Sequence, residues 1–156
     1  MSIVRILVDG YSLLHAWPEL AEGQARHSAV AREALVRYLQ QYQDSSSTPV
    51  TVFFDGASNP VKTTATSAAN NVEIIYSKTG QTADDLIERT THRILPFGEP
   101  LVVTDDFAER DTVINLGGSV MRCSEFIKEL GHSQEDLQRN IEDHNRRERA
   151  RYKKPR

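Results

Sequence analysis

Three short apolar segments of the chain each end in aspartate, and this pattern limits the folds open to the chain more than any other feature. Apolar runs of four to eight residues are typical of buried β-strands. The three segments are residues 3–8, 50–54 and 101–104. The acidic residues that follow them directly are Asp9, Asp55 and the pair Asp105–Asp106. Two further strands are predicted at residues 72–76 and 119–122.

Helical patterns separate these strands. The predicted helices cover residues 28–42, 82–94, 107–116 and 124–130, and Ser133 is expected to cap a final helix that runs to about residue 149. Alternating strands and helices predict an α/β fold with a mostly parallel central sheet and helices on both faces. A chain of 156 residues is of single-domain size. We divide it into a domain at 1–132 and a C-terminal helix with a basic tail at 133–156.

The carboxyl ends of parallel strands meet at one edge of a sheet, where α/β proteins bind their ligands. Asp9, Asp55, Asp105 and Asp106 are therefore expected at this edge. Neighbouring carboxylates repel one another unless a cation or a proton lies between them, and Mg²⁺ and Mn²⁺ prefer oxygen ligands. The pattern therefore suggests a divalent metal site, to which Asp84 at the start of a helix is a further candidate contributor.

Each of these residues also has a purely structural interpretation. Asp-Gly after a strand is a common turn, which applies to Asp9 and Asp55. Asp84 and Asp85 follow the predicted N-cap Thr82, where acidic residues stabilise a helix start. One residue of the pair Asp105–Asp106 is a candidate N-cap for the next helix. The combination favours a metal site more than any one member does.

Charge is distributed unevenly along the chain. Residues 1–138 hold 11 Lys and Arg against 19 Asp and Glu, whereas residues 139–156 hold 8 against 3. A basic end on an acidic body suits contact with phosphate, and a solvated helix end is the alternative. The candidate RNA-binding residues here are Arg146, Arg147, Arg149, Arg151, Tyr152, Lys153 and Lys154. Tyr152 is a candidate for stacking on a base. Tyr11, after the first strand, is a candidate for lining an RNA path.

Several classes of protein are disfavoured. Cys123 is the single cysteine, so no internal disulfide forms, and we expect it to be buried. The histidines show no paired ligand spacing, which argues against zinc. No Gly-x-Gly-x-x-Gly follows the first strand, and a phosphoacceptor receiver domain would need an acidic pair there. No signal peptide or apolar run of membrane-spanning length is seen, so we expect a cytoplasmic protein.

The motifs resemble those of the YacP-like NYN domains, relatives of the PIN-domain nucleases. Residues 6–12, ILVDGYS, followed by AWPEL at 16–20, resemble the opening "VDGYN" and "AWPEL" of that family. The segment TAD at 82–84 with Ile87 and Glu88 resembles its "TAD..IE". VTDD at 103–106, with Glu109 and the later Gly118 and residues 122–126, resembles its "TSD" block. The likeness extends over nearly the whole chain.

The resemblance implies a three-layer PIN-like fold and a ribonuclease that uses Mg²⁺ or Mn²⁺, in a family that includes a ribosome-associated messenger-RNA endonuclease. It implies that Asp9, Asp84 and Asp106 are the catalytic metal carboxylates, with Asp105 as a further candidate ligand. Supporting roles are then expected for Ser12, Asp55, Asp85 and Glu109.

Two positions depart from the family pattern. Ser12 stands where "DGYN" has Asn, so a hydroxyl replaces an amide with longer reach. Asp105 replaces the small Ser of "TSD" and adds a negative charge beside Asp106. The leading interpretation is a metal-dependent endoribonuclease, and the alternative, favoured by Ser12, is an NYN module that binds RNA or the ribosome and cleaves weakly or not at all.

Overall fold

The computed structural model describes residues 2–56 and 71–152. In this part of the chain, five strands form one sheet in which every neighbouring pair is parallel, in the order β3-β2-β1-β4-β5. The strands are β1 (Ile3–Asp9), β2 (Val50–Phe54), β3 (Glu73–Tyr76), β4 (Glu99–Val103) and β5 (Ser119–Met121). The predicted strands and their parallel arrangement are confirmed.

Five α-helices cover the sheet within the same residues. They are α1 (Gly10–Ala16), α2 (Ala29–Ser46), α3 (Ala83–Ile94), α4 (Phe107–Leu116) and α5 (Cys123–Tyr152). A 3₁₀ turn at Pro18–Ala21 follows α1, and another at Leu95–Phe97 follows α3. None of the helices described is long and apolar enough to cross a membrane.

Two apolar clusters hold the three layers together. On one face of the sheet, Leu13 of α1, Leu35 of α2 and Phe126 of α5 pack with residues of the central strands. On the other face, Ile87 of α3 and Val113 of α4 pack against the sheet. Because alternate residues of a strand point to opposite faces, β1 contributes to both clusters. Helices on both faces confirm the predicted three-layer fold.

The topology determines where a site forms. The chain passes outward from β1 to β2 and β3, then returns through α3 to place β4 on the other side of β1. The strand order therefore reverses between β1 and β4. In open parallel sheets ligands bind at the carboxyl ends of the strands beside such a point. Asp9 ends β1 at this edge, and the loop after β4 holds Asp105 and Asp106.

The structure excludes the alternative that Asp9-Gly10 forms a turn, because α1 begins directly at Gly10 with Asp9 as its N-cap. Two local predictions were wrong. The strand expected at residues 101–104 is Glu99–Val103, so Pro100 lies within β4, where an irregularity in the pairing with β1 accommodates the missing N–H. Ser133 does not start a new helix, since α5 is continuous from Cys123 to Tyr152. The stretch at Gly131-His132-Ser133 has no proline, and one glycine costs a helix only about 1 kcal/mol.

Candidate metal centre and cleft

Asp9 is held at the junction of β1 and α1. Its Oδ1 accepts a hydrogen bond from the Ser12 backbone N–H at 3.4 Å, which caps the helix. The glycine that follows is required by close packing. A Cβ on Gly10 would lie 2.3 Å from Cε1 of Phe54 and 2.9 Å from the carbonyl oxygen of Phe53. The Asp-Gly pair thus lets α1 start against β2 and leaves the Asp9 carboxylate at the sheet edge.

Asp84 is placed by a capping box at the start of α3. The Asp85 N–H donates to Oγ1 of Thr82, and the Thr82 N–H donates to Oδ2 of Asp85, both at 3.1 Å. The Asp85 carboxylate is therefore hydrogen-bonded at the start of α3, in line with its structural interpretation. Asp84, one residue earlier, is free of this box and lines the cleft beside Asp9.

A third carboxylate near Asp9 and Asp84 is that of Glu109, in the first turn of α4. Asp106 caps this helix, because its Oδ1 accepts from the N–H groups of Ala108 at 2.9 Å and Glu109 at 3.2 Å. The cap turns Glu109 inward, where it is only 7% exposed. Oε2 of Glu109 accepts from the buried hydroxyl of Thr104 at 3.2 Å, and the same hydroxyl lies 3.5 Å from Oδ2 of Asp9.

These elements bring Asp9, Asp84 and Glu109 into one cluster. One carboxylate oxygen from each lies within 4.8 Å of the others. Burial, followed by the charge of Asp84, raises the pKa of Asp9 to about 6. Burial and the neighbouring Asp84 and Asp9 also raise the pKa of Glu109 far above its usual range. The metal-free cluster therefore keeps a proton at neutral pH, because three close carboxylates cannot all ionise without a cation.

The donor set fits a hard divalent cation. Oε1 of Glu109 is buried and, among the residues described, receives no N–H or O–H donor. When Glu109 is protonated this oxygen can share its proton with Asp84, and when both are ionised a cation or a water molecule can satisfy it. The candidate ligand group of Asp9, Asp84 and Glu109 offers carboxylate oxygens alone, which suits Mg²⁺ or Mn²⁺ better than zinc.

The cluster opens into a cleft of about 490 Å³. Asp9, Asp84 and Asp106 line it, together with Tyr11, Ser12 and Asp55 from the predicted site. Five lining residues were not among the predicted site residues, namely His15, Arg26, His27, Thr82 and Ala83. His15 lies one helical turn from Tyr11, a signal that was available in the sequence. Arg26 and His27 lie in the loop before α2, and nothing in their spacing indicates the cleft.

Comparison with known proteins decides the family. The model of the YacP-like NYN domain matches residues 6–155. The chain belongs to the YacP-like NYN family. The protein YacP of Bacillus subtilis strain 168 is 30% identical over 139 residues, which cover 88% of this chain and 78% of that protein. The family belongs to the PIN-like nuclease superfamily.

Two solved structures share the fold of this NYN domain. The crystal structure of Rae1 (YacP) from Bacillus subtilis superimposes with a TM-score of 0.77 at 24% identity, over 96% of this chain and 85% of that one. A variant of the same protein gives a TM-score of 0.75 at 26% identity, over 90% and 82%. The expected PIN-like architecture is confirmed.

The two positions that depart from the NYN family pattern contact each other. Oγ of Ser12 accepts a hydrogen bond from the Asp105 N–H at 3.1 Å and lies 3.5 Å from Sγ of Cys123. Oδ1 of Asp105 accepts from the Cys123 N–H at 2.9 Å. Asp105 is thus directed to the start of α5 and does not line the cleft. Cys123 is buried, as expected.

Of the remaining predicted site residues of this NYN domain, Asp55 lies in the cleft and the others belong to the C-terminal segment. Asp55 lines the cleft and accepts from the Ser77 hydroxyl at 3.1 Å. Four arginines near the end of α5 are exposed, namely Arg146, Arg147, Arg149 and Arg151. Arg146 pairs with Asp143 and Arg151 with Glu148, within the same helix. The side chain of Tyr152, and Lys153 and Lys154, lie outside the described residues.

Proposed function

We propose that this protein is a metal-dependent endoribonuclease that hydrolyses RNA phosphodiester bonds, and that its substrate is messenger RNA bound to the ribosome. The observation that carries the proposal is the cluster of Asp9, Asp84 and Glu109, whose oxygens lie within 4.8 Å at the carboxyl edge of the sheet. Membership of a nuclease-type family supports the same conclusion.

Mg²⁺ or Mn²⁺ would be held by Asp9, Asp84 and Glu109, with Asp106 beside them in the cleft. A bound divalent cation supplies charge stabilisation at the phosphate and a water of lowered pKa as nucleophile. This assignment differs from the set expected from the sequence, because Oδ1 of Asp106 accepts two helix N–H groups. The other oxygen of Asp106 remains available to a water molecule in the cleft.

Hydrogen bonds hold the carboxylates of this site in position before substrate binds. Thr104 orients Glu109 through a hydrogen bond, and its backbone belongs to the segment that ends β4. Asp9 is held by its capping bond to α1, so the carboxylates lie on rigid elements and not on free loops. A bound cation would take over from the retained proton in offsetting the repulsion among the carboxylates, so the cluster would release that proton on binding.

We further propose that the arginines at the end of α5 contact RNA phosphates. All four are exposed, and residues 134–152 of the helix would extend about 28 Å at 1.5 Å per residue. Each phosphate contact releases counterions, so binding through this segment should weaken steeply as salt rises. Replacing Arg147 and Arg149 together by Gln should reduce the salt dependence of RNA binding without changing Mn²⁺ affinity.

The first experiment is calorimetric titration of Mn²⁺ into the full chain. Wild type is compared with Asp9→Asn and Asp84→Asn, and with Asp111→Asn as a control that removes an exposed carboxylate of α4 outside the cleft. The proposal expects binding by wild type and the control, and its loss in both cluster variants. Equal binding by all four proteins would remove the cluster from its proposed role.

Cleavage is then measured on single-stranded RNA and on messenger RNA bound to ribosomes. Metal-dependent cleavage by wild type and Asp111→Asn, abolished by Asp84→Asn, supports the endonuclease. Metal binding without cleavage on either substrate would favour the second candidate, an RNA-binding module. The specific observation behind that candidate is Ser12, whose hydroxyl is engaged by Asp105 and Cys123.

A further inference from the structure

The cleft is lined by two chemically different sets of residues. One set is the carboxylates of the proposed metal centre. The other set is His15, Arg26 and His27, which we call the basic wall. Arg26 is the one Lys or Arg that lines this cleft among the residues described, in a body that is otherwise acidic.

In the part of the chain that the structure describes, Arg26 makes one hydrogen bond, and it is to another residue of the wall. Its Nη1 contacts Nδ1 of His15, and the guanidinium donates in this contact because it has no acceptor. Within residues 2–56 and 71–152, the structure gives Arg26 no ion pair, and its side chain is exposed. Most of its five N–H donors therefore remain free, in the planar arrangement that binds phosphate oxygens in pairs.

Two aromatic rings line the same cleft as the Arg26 guanidinium. The rings of His27 and Tyr11 lie 4.3 Å apart between centroids. Tyr11 is supported from behind by Phe54, at 5.1 Å, and its hydroxyl accepts from Arg32 at 3.4 Å. Tyr11 is thereby fixed, while His27 is exposed and offers a ring to a base. Stacking of bases on aromatic side chains is the common basis of single-strand binding.

We propose that the basic wall is a subsite for single-stranded RNA, in which Arg26 binds a phosphate next to the scissile one and His27 stacks on the adjoining base. The inference rests on the proposed endoribonuclease function and names its substrate class. His15 is a positioning residue that holds Arg26. The cleft volume of about 490 Å³ lies in the range of pockets for small ligands, about 300–1,000 Å³, and suits one or two unpaired nucleotides.

The basic wall has an electrostatic role in binding RNA. RNA must bring a phosphate to a site lined by Asp9, Asp84 and Asp106, which repel it until the cation is bound. A guanidinium in the same cleft offsets part of this repulsion for the neighbouring phosphate. It therefore helps to hold the strand in one register across the cluster.

The test is binding of a fluorescein-labelled 12-nucleotide single-stranded RNA to the full chain, followed by anisotropy at several KCl concentrations. All proteins carry Asp84→Asn, so that no cleavage occurs during the measurement. Arg26→Gln is compared with Arg93→Gln, which removes an equally exposed charge from the last turn of α3, about 14 Å along the helix from Asp84.

We expect Arg26→Gln to raise the Kd about tenfold and to lower the slope of log Kd against log salt by about 0.7, as for loss of one phosphate contact to a single strand. The control should change neither quantity. His27→Ala should raise the Kd about tenfold for the normal oligonucleotide and leave binding of an abasic one unchanged.

Equal affinities for Arg26→Gln and Arg93→Gln would overturn the inference. So would a loss of affinity that is the same for duplex RNA as for the single strand, because the subsite would then not select unpaired nucleotides. Cleavage by the protein with native Asp84 is measured separately. Metal-dependent cleavage with no effect of Arg26 defeats the inference alone, whereas absence of cleavage defeats the proposed function.

Discussion

Asp105 and Cys123 are joined by a hydrogen bond of 2.9 Å, from the Cys123 N–H to Oδ1 of Asp105. Asp105 stands beside Asp106, where the family pattern has Ser. Its carboxylate therefore satisfies the first N–H of α5. The free N–H groups of a helix start carry partial positive charge, which stabilises an acceptor of negative charge there.

Replacing Asp105 by Ala should lower the free energy of unfolding by about 1 kcal/mol, the usual cost of losing a helix cap. Urea denaturation at pH 7.5 measures the change. Asp105→Asn keeps an acceptor oxygen and should lose less than half as much. Calorimetry on the same variants should show unchanged Mn²⁺ affinity, and a tenfold loss would instead make Asp105 a ligand.

Asp9→Asn should stabilise the metal-free protein at neutral pH. Burial and Asp84 raise the pKa of Asp9 from 3.8 to about 6, so between these values the folded state binds a proton that the unfolded state has released. The contribution of Asp9 is therefore most favourable below about pH 4 and is lost as pH rises through about 6.

We expect Asp9→Asn to raise the Tm by at least about 2 °C at pH 7.5 with EDTA, and to have little effect at pH 4. Differential scanning calorimetry at both pH values checks this. Asn retains an oxygen to accept from the Ser12 N–H, so the cap of α1 is preserved. A lower Tm for the variant at pH 7.5 would contradict the prediction.

Glu109→Gln should reduce Mn²⁺ affinity at least about tenfold, as expected for removal of a charged ligand from a metal site. Asp106→Asn should have a smaller effect, because Oδ1 of Asp106 already accepts from the helix. Titration of both variants by calorimetry ranks the two residues. The reverse ranking would restore Asp106 to the direct ligand set expected from the sequence.

Ser12→Asn introduces the family residue and should destabilise this chain. The hydroxyl of Ser12 lies 3.5 Å from the buried Sγ of Cys123, so a larger amide is overpacked, at a cost of about 1–3 kcal/mol. Cys123→Ala should recover part of that loss in the double variant. A thermodynamic cycle of the two single variants and the double variant measures the coupling, and additive effects would show that the two sites are independent.

The order of strands and helices was predictable because each element carries its own signals. Apolar runs such as Val50–Phe54 mark buried strands, and Thr82 is the N-cap that the sequence predicts for α3. The helix α1 was missed because Asp9-Gly10 is also typical of a turn. Only the contact of Gly10 with Phe54 shows that the glycine serves close packing.

The sequence by itself determined the strands, the parallel sheet and the edge at which the acidic residues gather, since hydrophobic pattern and caps act over a few residues. The tertiary structure alone decided which carboxylates meet. The cap by Asp106 turns Glu109 inward, and the start of α5 draws Asp105 away. It also placed Arg26 and His27 in the lining of the cleft, because the direction of a side chain depends on how distant elements pack against it.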